Sequence, residues 1–500
     1  MSYEISSHRT MRTTILLLCC FGLLDTVRAQ EVQPGKMTIE LHKFRTYDGR
    51  EHETELGRLW VRENRGSGSN QRLIQLAFVR LRSTATTPGP PIIYLAGGPG
   101  IPGIGMGQIP VYFALFERLR EVADVILLDQ RGVGKSTPSL NCPAPISSAP
   151  LDILTDETQA TQHFAKSLQS CAAQLSAQGI ELAAYTPNAV ADDVEDLRKA
   201  LGAEKVSLVG MSYGTHIALA FIRRHEARVH RVVLAGTLGP DHALHLPGAT
   251  DLLLLKVSQL VAHDANIGKV VPDFAGLVSR TLAQFERQPA TITVTDRRTN
   301  QPVNVRVGKV ALQIALDGLS DGRTLPTLPA FFHSVSRGDY SMLTRRGEGL
   351  YNSLNGSGSS AMSMAIGCSS GWSEERMAKA QREGRQSVVG TATMRRPEFC
   401  KAIGIRDLGP EFRSRIWSTA PVLFVSGTLD GNTPPYQAEE VRWGFPNGGH
   451  LIVENGAHET LPASDVQAVV TDFFKGQDIS GRRVVLPSPR FTMPNETGSK

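Results

Sequence analysis

The sequence predicts an α/β fold with a mostly parallel central sheet, and three observations lead to this prediction. Short apolar runs, of the length of buried strands, alternate with stretches of helical periodicity. Several of these runs end in glycine-rich or polar loops, as at residues 96–100 and 129–136. The alternation stops near residue 240 and resumes at residue 421, which indicates a large insertion into the fold.

The order of the segments predicts how the chain is divided. Residues 36–83 alternate between apolar and polar positions, which is typical of antiparallel hairpins, and strand–helix units follow up to residue 236. We expect residues 240–415 to form a mainly helical cap, because the strand–helix alternation stops there and residues 252–262 and 274–285 have helical periodicity. The predicted segments are a signal peptide at 1–29, the N-terminal part of the core at 30–238, the cap at 239–415, the C-terminal part of the core at 416–476 and a tail at 477–500.

The N-terminus has the pattern of a cleaved signal peptide. Arg9 and Arg12 precede a short apolar run at residues 15–24, and a small-x-small site lies directly before Gln30. The run is too short to span a bilayer, and a buried N-terminal helix is the alternative. We therefore expect export to a periplasmic or extracellular location, with no stable membrane association after cleavage. The net charge of +5 is small for 500 residues and gives no support for nucleic-acid binding.

Four of the six cysteines lie outside the predicted signal peptide: Cys142, Cys171, Cys368 and Cys400. An even number of cysteines in an exported protein indicates disulfides, although four cysteines allow three pairings. We expect the Cys142–Cys171 and Cys368–Cys400 pairs, because each pair is nearest in sequence and stays within one part of the fold. Free buried thiols are the alternative. No Cys-x-x-Cys spacing occurs, so the sequence predicts no metal site.

Residues 205–224 carry the strongest single motif of the chain. A short apolar run is followed by Gly-x-Ser-x-Gly at residues 210–214 and then by a helix with one apolar face. A serine on so tight a turn between strand and helix is held clear of the sheet, and the two glycines leave room for the turn. The helix N-terminus beside Ser212 favours developing negative charge. This context predicts that Ser212 is a nucleophile.

An acid and a base follow the serine at strand ends, where ligands gather in parallel sheets. Asp430 ends one predicted strand and His458 lies just beyond another, so the order is serine, aspartate, histidine, as in the α/β-hydrolases. Histidine can take the serine proton near neutral pH, and Asp430 would orient the imidazole. Asp129 also ends a strand, but it precedes the serine. Other histidines, such as His216, are expected at helix or strand surfaces.

The loop after the first parallel strand predicts the oxyanion hole. It contains Gly97 and Gly98, and their backbone N–H groups, together with that of Tyr213, are the candidate donors. Pro99 is excluded because proline has no N–H. This chemistry uses side chains and backbone alone, and we expect no cofactor.

These motifs together resemble the proline iminopeptidase and tripeptidyl aminopeptidase family of α/β-hydrolase serine peptidases. The resemblance rests on Gly-Gly-Pro-Gly at 97–100, Asp-Gln-Arg-Gly at 129–132, the serine motif, Asp430 and His458. The length, signal peptide, cap and cysteines are similar to the exported, tripeptidyl-type branch. The resemblance implies an α/β-hydrolase fold, Ser212, Asp430 and His458 as catalytic triad, and cap acids that hold the substrate amine.

The amine-binding acids of that family have no clear counterpart here, because Ser369 and Ser370 follow Cys368. Glu374 and Glu375 are the candidates, and two solvated glutamates at a helix start are the alternative. We expect an exopeptidase that acts on peptides, or a carboxylesterase with the same triad that acts on small esters. A non-catalytic binding protein of this fold is the hypothesis from another class. The sequence leaves the oligomeric state open.

Overall fold

The computed structural model describes residues 33–66, 71–142, 148–355, 360–392 and 396–494. The predicted signal peptide lies outside these ranges. Within them, no helix combines the length and the apolar character that crossing a membrane requires.

Among the described residues, ten strands form the central sheet and two form a separate hairpin. The strands are β1 (Met37–Arg45), β2 (Glu51–Arg62), β3 (Leu73–Leu81), β4 (Ile92–Leu95), β5 (Val125–Asp129), β6 (Val206–Met211), β7 (Val229–Ala235), β8 (Ala290–Asp296), β9 (Gln301–Val307), β10 (Val422–Gly427), β11 (Gly448–Glu454) and β12 (Val484–Val485). The order in the large sheet is β1-β2-β3-β5-β4-β6-β7-β10-β11-β12. In this sheet the pairs β1·β2, β2·β3 and β3·β5 are antiparallel and the other pairs are parallel, whereas the β8·β9 hairpin is antiparallel. The predicted fold class is therefore confirmed.

In the part of the chain that the structure describes, seventeen helices surround the sheet and build the cap. They are α1 (Gly103–Gly107), α2 (Pro110–Leu119), α3 (Glu157–Ala177), α4 (Pro187–Ala200), α5 (Tyr213–His225), α6 (Pro247–His263), α7 (Ile267–Val270), α8 (Phe274–Arg287), α9 (Lys309–Ala315), α10 (Leu328–Ser336), α11 (Ser341–Leu354), α12 (Ala361–Ser370), α13 (Glu374–Gly384), α14 (Pro397–Ile403), α15 (Gly409–Arg413), α16 (Pro435–Arg442) and α17 (Ser464–Phe474). Short 3₁₀ turns add Leu182–Ala184, Glu226–Arg228, Leu316–Ser320 and Leu325–Thr327.

Apolar cores lie on both faces of the sheet. Helices α4 and α5 pack on one face, and α1, α2 and α17 contribute to the core on the other. The central strands are buried along their whole length, as in β6 and β10. Burial on both faces explains why these strands appear in the sequence as continuous apolar runs, without alternation. Because the central strands are parallel, the sheet presents their carboxyl ends at one edge.

The cap inserted between β7 and β10 is mainly helical, as expected, and it also contains the β8–β9 hairpin. Strand β8 alternates strictly between buried and exposed residues, because only one face of the hairpin packs on helices. The cap has an apolar core of its own, which includes Phe274, Phe331 and Phe332. Ile153 and Leu154, which we placed in the N-terminal part of the core, also pack in this cluster.

Two further features connect distant segments. The sulfur atoms of Cys142 and Cys171 lie 2.09 Å apart and those of Cys368 and Cys400 lie 2.08 Å apart, which fits the predicted pairing. The tail, to which we assigned no helix or strand, contributes to the central sheet: β12 pairs with β11 at the sheet edge. Beyond β12, Phe491 and Met493 pack against the core of the cap.

Candidate active site

Ser212 lies on the sharp turn between β6 and α5. Its backbone is in the left-handed region, with φ 53° and ψ −121°, which is costly for a residue with a side chain. The flanking glycines explain how the turn is packed. A Cβ on Gly214 would lie 1.9 Å from the Leu95 carbonyl oxygen, and one on Gly210 would lie 2.7 Å from the Gly214 oxygen. Only glycine fits at these two positions, so the strand, the turn and the helix approach closely enough to expose the serine.

The structure brings the three residues of the predicted triad together. The Nε2 atom of His458 lies 2.8 Å from Ser212 Oγ, and its Nδ1 atom lies 2.8 Å from Asp430 Oδ2. Ser212 follows β6, Asp430 follows β10 and His458 follows β11, so three carboxyl strand ends supply the three groups. An imidazole held between a hydroxyl and a carboxylate can accept the hydroxyl proton on one nitrogen and keep its other N–H on the carboxylate.

The Asp430 carboxylate is buried and fully engaged. Backbone N–H groups of Asn432 and Thr433 donate to Oδ1 at 2.8 and 2.9 Å, and the Thr433 hydroxyl donates to Oδ2 at 2.6 Å. Burial alone disfavours the charged carboxylate, but the positive charge of His458 and these hydrogen bonds outweigh it and lower the pKa of Asp430. Asp430 is therefore ionised at neutral pH.

The interaction between Asp430 and His458 shifts the pKa of His458 in the opposite direction, upwards. Burial disfavours the imidazolium, whereas the charge of Asp430 and its hydrogen bond favour it, and the net effect raises the pKa of His458 above its ordinary value. The backbone of His458 is held by the cap, because its N–H donates to the Ser320 carbonyl at 2.9 Å. The hydroxyl of Ser320 accepts a hydrogen bond from the Gly431 N–H at 3.0 Å. One cap residue thus ties the loops of the acid and the base together.

The glycine loop after β4 lies against the serine. A Cβ on Gly97 would lie 3.0 Å from Ser212 Cβ, and Gly98 has a φ of 109°, which favours glycine. Gly97 and Gly98 line one cavity together with Ser212 and Tyr213. The Gln130 side chain donates to the Ala96 carbonyl at 3.1 Å and helps to fix this loop.

The Asp-Gln-Arg-Gly motif at residues 129–132 stabilises the loops next to the site. Asp129 accepts hydrogen bonds from the backbone N–H groups of Ile104 and Lys135, both at about 2.9 Å or less. Arg131 is buried completely and forms a bidentate ion pair with Asp193 at 2.7 and 2.6 Å. These contacts join the loops after β4 and β5 to α4, so the motif has a structural role in shaping the sheet edge.

A cavity of about 630 Å³ lies above Ser212 and His458, between the sheet edge and the cap. Its wall is largely apolar, with Ile101, Met106 and Leu238 among the contributors. The polar groups on the wall include Glu459, which follows His458, and Arg323 of the cap. Burial, followed by the negative charge of Asp321, raises the pKa of Glu459, while His458 and Arg323 act against this rise.

A second cavity of about 400 Å³ lies next to the first, and Ala243 and His245 line both. Its wall combines apolar residues of α3, α11 and α14 with three charged groups, Glu157, Asp317 and Arg396. Glu157 and Arg396 form an ion pair with each other. The cap therefore covers two adjoining cavities, and Ser212 lines the first of them.

Two interpretations of the sequence need correction. Glu374 and Glu375 do not reach the site: both are exposed in the first turn of α13, where the positive end of a helix favours carboxylates, and neither lines the cavity. His216 is buried rather than at the surface, because α5 is covered on that side by the cap. Its Nε2 atom lies 3.0 Å from Ser370 Oγ, and Ser370 lines the first cavity.

Sequence reasoning missed several residues that complete the site. Thr433 could have been found, because aspartate followed by a turn often accepts hydrogen bonds from residues two and three positions later. Glu459 is adjacent to His458 but carries no pattern that sets it apart. No sequence signal marked Ser320, which reaches the site only because the cap folds back over β10 and β11.

The fold and the site define the class of this protein. A model of the alpha/beta hydrolase fold family matches residues 90–462, and the chain belongs to this family. It is a hydrolase of the α/β family. It is similar to the putative hydrolase YuaR of Escherichia coli K12, with 24% identity over 436 residues that cover 81% of each chain.

Two peptidases are similar over a shorter part of the chain. Serine protease Hip1 of Mycobacterium tuberculosis is 30% identical over 174 residues, which are 33% of this chain and 32% of that protein. Tripeptidyl aminopeptidase of Streptomyces coelicolor is 28% identical over 175 residues, which are 34% of this chain and 32% of that protein. The matched part is therefore about a third of each peptidase.

Proposed function

We propose that this chain is an exported serine exopeptidase that hydrolyses peptides from a free N-terminus through an acyl-enzyme on Ser212. The observation that carries the proposal is the hydrogen-bonded series Ser212–His458–Asp430 at the base of a cavity under the cap. The similarity to proteins named serine protease and tripeptidyl aminopeptidase supports a peptidase. The N-terminal pattern at residues 1–29 and the two cysteine pairs support export.

Acylation begins with the attack of Ser212 Oγ on the scissile carbonyl carbon, while His458 Nε2 takes the hydroxyl proton across the 2.8 Å contact. Asp430 holds the imidazole by its other nitrogen and stabilises the imidazolium. The carbonyl oxygen becomes an oxyanion beside the loop of Gly97 and Gly98 and the N-terminus of α5. Backbone N–H groups of Tyr213 and of Gly98 or Gly97 are the proposed donors.

Collapse of the tetrahedral intermediate returns the proton from His458 to the leaving amine, and the C–N bond breaks. Water then repeats the same steps on the acyl-enzyme and releases the acyl product. The buried, ionised Asp430 keeps the imidazole in one orientation through both halves of the reaction.

Preference for a free N-terminus follows from the cap. A cavity covered by helices admits a chain end more easily than the middle of a chain, and a protonated amine inside it requires a carboxylate. Glu374 and Glu375 line neither cavity and are therefore excluded from this role. The carboxylates that line the cavities include Glu459 in the first and Asp317 in the second.

A carboxylesterase is the second candidate, and the largely apolar wall around Ser212 favours it, because such a wall suits an acyl chain without charge. The two candidates differ in what they require of the substrate. An aminopeptidase depends on the free amine, whereas an esterase does not.

The test compares wild-type protein with Ser212→Ala on peptidyl anilides, N-acetylated peptidyl anilides and simple esters. We expect Ser212→Ala to fold normally and to lose activity on every substrate by several orders of magnitude. We expect N-acetylation to lower kcat/KM of the wild type at least tenfold. Near-normal turnover by Ser212→Ala would refute the serine mechanism, and a wild type that hydrolyses none of these substrates would favour the non-catalytic hypothesis. Equal rates on free and acetylated substrates would refute the aminopeptidase and favour the esterase.

A further inference from the structure

We propose that residues 484–494 form a strap that positions the catalytic histidine. The strap is bonded at one end to the loop that carries His458 and at the other end to the cap, so it holds the cap turn Leu316–Ser320 against that loop. The inference rests on the serine mechanism of the proposed function, but it holds for a peptide and for an ester substrate alike. In the part of the chain that the structure describes, no strap residue lines either cavity.

The first attachment of the strap lies at the histidine loop. β12 extends the sheet beside β11, and the N–H of Leu486 donates to the Glu454 carbonyl at 2.9 Å. The Asn455 side chain donates to the Leu486 carbonyl, also at 2.9 Å. Asn455 lies three residues before His458 and has a φ of 58°, a conformation that asparagine adopts more readily than most residues. The strap is therefore bonded at the point where the chain turns from β11 towards the base.

The same turn is bonded to the loop that carries the acid. The N–H of Asn455 donates to the Thr428 hydroxyl at 2.9 Å, and the N–H of Leu429 donates to the Gly456 carbonyl at 2.7 Å. Asp430 follows Leu429 directly. A displacement of the turn at Asn455 therefore moves the acid as well as the base.

The second attachment of the strap lies on the cap. The N–H of Thr492 donates to the Pro326 carbonyl at 3.0 Å. The flanking Phe491 and Met493 pack against the apolar core of the cap. Pro326 belongs to the 3₁₀ turn Leu325–Thr327, so the strap is fixed to this turn by a backbone hydrogen bond and by apolar contacts on both sides of it.

The 3₁₀ turn that the strap binds is joined to the turn that binds the base. The N–H of Leu325 donates to the Asp321 carbonyl at 2.8 Å, and Asp321 directly follows Ser320. Leu319 and Leu325 are buried in the same apolar cluster in which the strap packs. The carbonyl of Ser320 receives the N–H of His458 at 2.9 Å. A continuous series of hydrogen bonds and apolar contacts therefore leads from the strap to His458.

The chain between the two attachments is short and stiff. Six residues lead from Leu486 to Thr492, and even a fully extended chain of this length spans at most about 20 Å. Pro487 and Pro489 fix their own φ angles and favour extended conformations at the residues before them. The Ser320 turn lies within the cap insertion, far along the chain from both of its junctions with the sheet. The strap therefore limits how far this turn can move from the histidine loop.

Loss of the strap should slow the reaction of Ser212 while leaving all three triad residues in the chain. A displacement of about 1 Å at the reacting groups can lower a rate about 100-fold, even when the substituted residue is far from the chemistry. We expect kcat to fall at least tenfold. KM should change less than threefold, because the strap lines neither cavity.

The test measures how fast Ser212 is labelled by a small alkyl fluorophosphonate, together with kcat and KM on a simple ester. During labelling the Oγ–P bond forms, the P–F bond breaks and His458 takes the hydroxyl proton, so the rate reports the triad without a peptide subsite. The variants are a chain that ends at Leu486 and the full-length Phe491→Ala. We expect both to fold, because β12 and the core of the cap remain, and to be labelled at least tenfold more slowly than the wild type.

Two further variants test each attachment separately. Phe491→Leu keeps an apolar side chain at the cap and should restore at least half of the wild-type labelling rate. Asn455→Gly keeps the left-handed backbone, which glycine adopts without strain, but it removes the bond to Leu486. This variant should be labelled at least threefold more slowly than the wild type.

Tyr340→Ala is the matched control. Tyr340 is half-buried, as Phe491 is, and its ring packs edge-on against Phe285 at the same apolar core. The substitution removes an aromatic ring at the start of α11, outside the series of contacts that leads from the strap to His458. We expect it to lower the unfolding temperature and to change the labelling rate less than twofold.

Labelling at the wild-type rate would overturn the inference, whether in the chain that ends at Leu486 or, where that chain fails to fold, in Phe491→Ala. Equal losses of rate in Phe491→Ala and Tyr340→Ala would also overturn it, because the effect would then come from a general loosening of the cap. A change in KM with an unchanged kcat would assign the strap to the shape of the cavity and would overturn its role in positioning the histidine.

These measurements separate the two proposals. If the wild type and Ser212→Ala are labelled alike, the serine mechanism fails and the inference about the strap fails with it. If the wild type is labelled at Ser212 but hydrolyses free and acetylated substrates equally well, only the aminopeptidase proposal fails. The strap variants then still decide whether residues 484–494 position His458.

Discussion

Replacing Thr433 by valine tests how the site positions its acid. Thr433 is buried, and its hydroxyl donates to Asp430 Oδ2 at 2.6 Å and lies 3.1 Å from His458 Nδ1. Valine has nearly the same shape but no donor, so Asp430 loses one of the bonds that orient it towards the imidazole. The two backbone N–H groups on Oδ1 remain.

The magnitude follows from the bond that is lost. A hydrogen bond to a charged group contributes about 1.5–3 kcal/mol, and 1.4 kcal/mol corresponds to a factor of ten in rate. We therefore expect Thr433→Val to lower kcat by about 10- to 100-fold. This is less than removal of the acid itself, for which the loss is about 10⁴ in related triads. KM should change little, because Thr433 does not line the cavity that holds Ser212.

The assay is steady-state kinetics on a free tripeptidyl anilide, together with thermal unfolding. Thr433→Ser retains the hydroxyl and is the matched control; we expect at least half of the lost activity to return. If Thr433→Val retained full kcat, or if serine failed to restore activity in a stably folded protein, the positioning role of the hydroxyl would be refuted.

Two further predictions concern pH and the cysteine pairs. Because the pKa of His458 is raised, the acid limb of kcat/KM should lie above pH 6.5. Activity requires the neutral imidazole and should be lost as the pH falls through this pKa. A limb well below pH 6.5, in a pH–rate profile of an acetylated substrate, would contradict this prediction. The Cys142–Cys171 and Cys368–Cys400 bonds close segments with sequence separations of 29 and 32, and each should stabilise the fold by about 3–4 kcal/mol, so reduction should lower the unfolding temperature. Non-reducing peptide mapping of exported protein checks the pairing, and free thiols or a crosslink between the two pairs would show it to be wrong.

The sequence by itself determined the fold class and the positions of Ser212, Asp430 and His458 at strand ends. These features follow from local patterns. Central parallel strands are buried on both faces, so they are continuous apolar runs, and their carboxyl ends meet at one sheet edge. The turn at Ser212 requires glycine at positions 210 and 214 for steric reasons, and that requirement is visible in the sequence.

The environment of the site depends on contacts between segments far apart in the chain, and only the tertiary structure decided it. Ser320 binds the loops of Gly431 and His458 from more than a hundred residues away. The same folding of the cap places Asp317 beside a cavity and leaves Glu374 and Glu375 in solvent. A carboxylate in a sequence has the same appearance whether it is solvated, paired or enclosed. Its surroundings, and therefore its charge and role, are set by which distant helices pack around it.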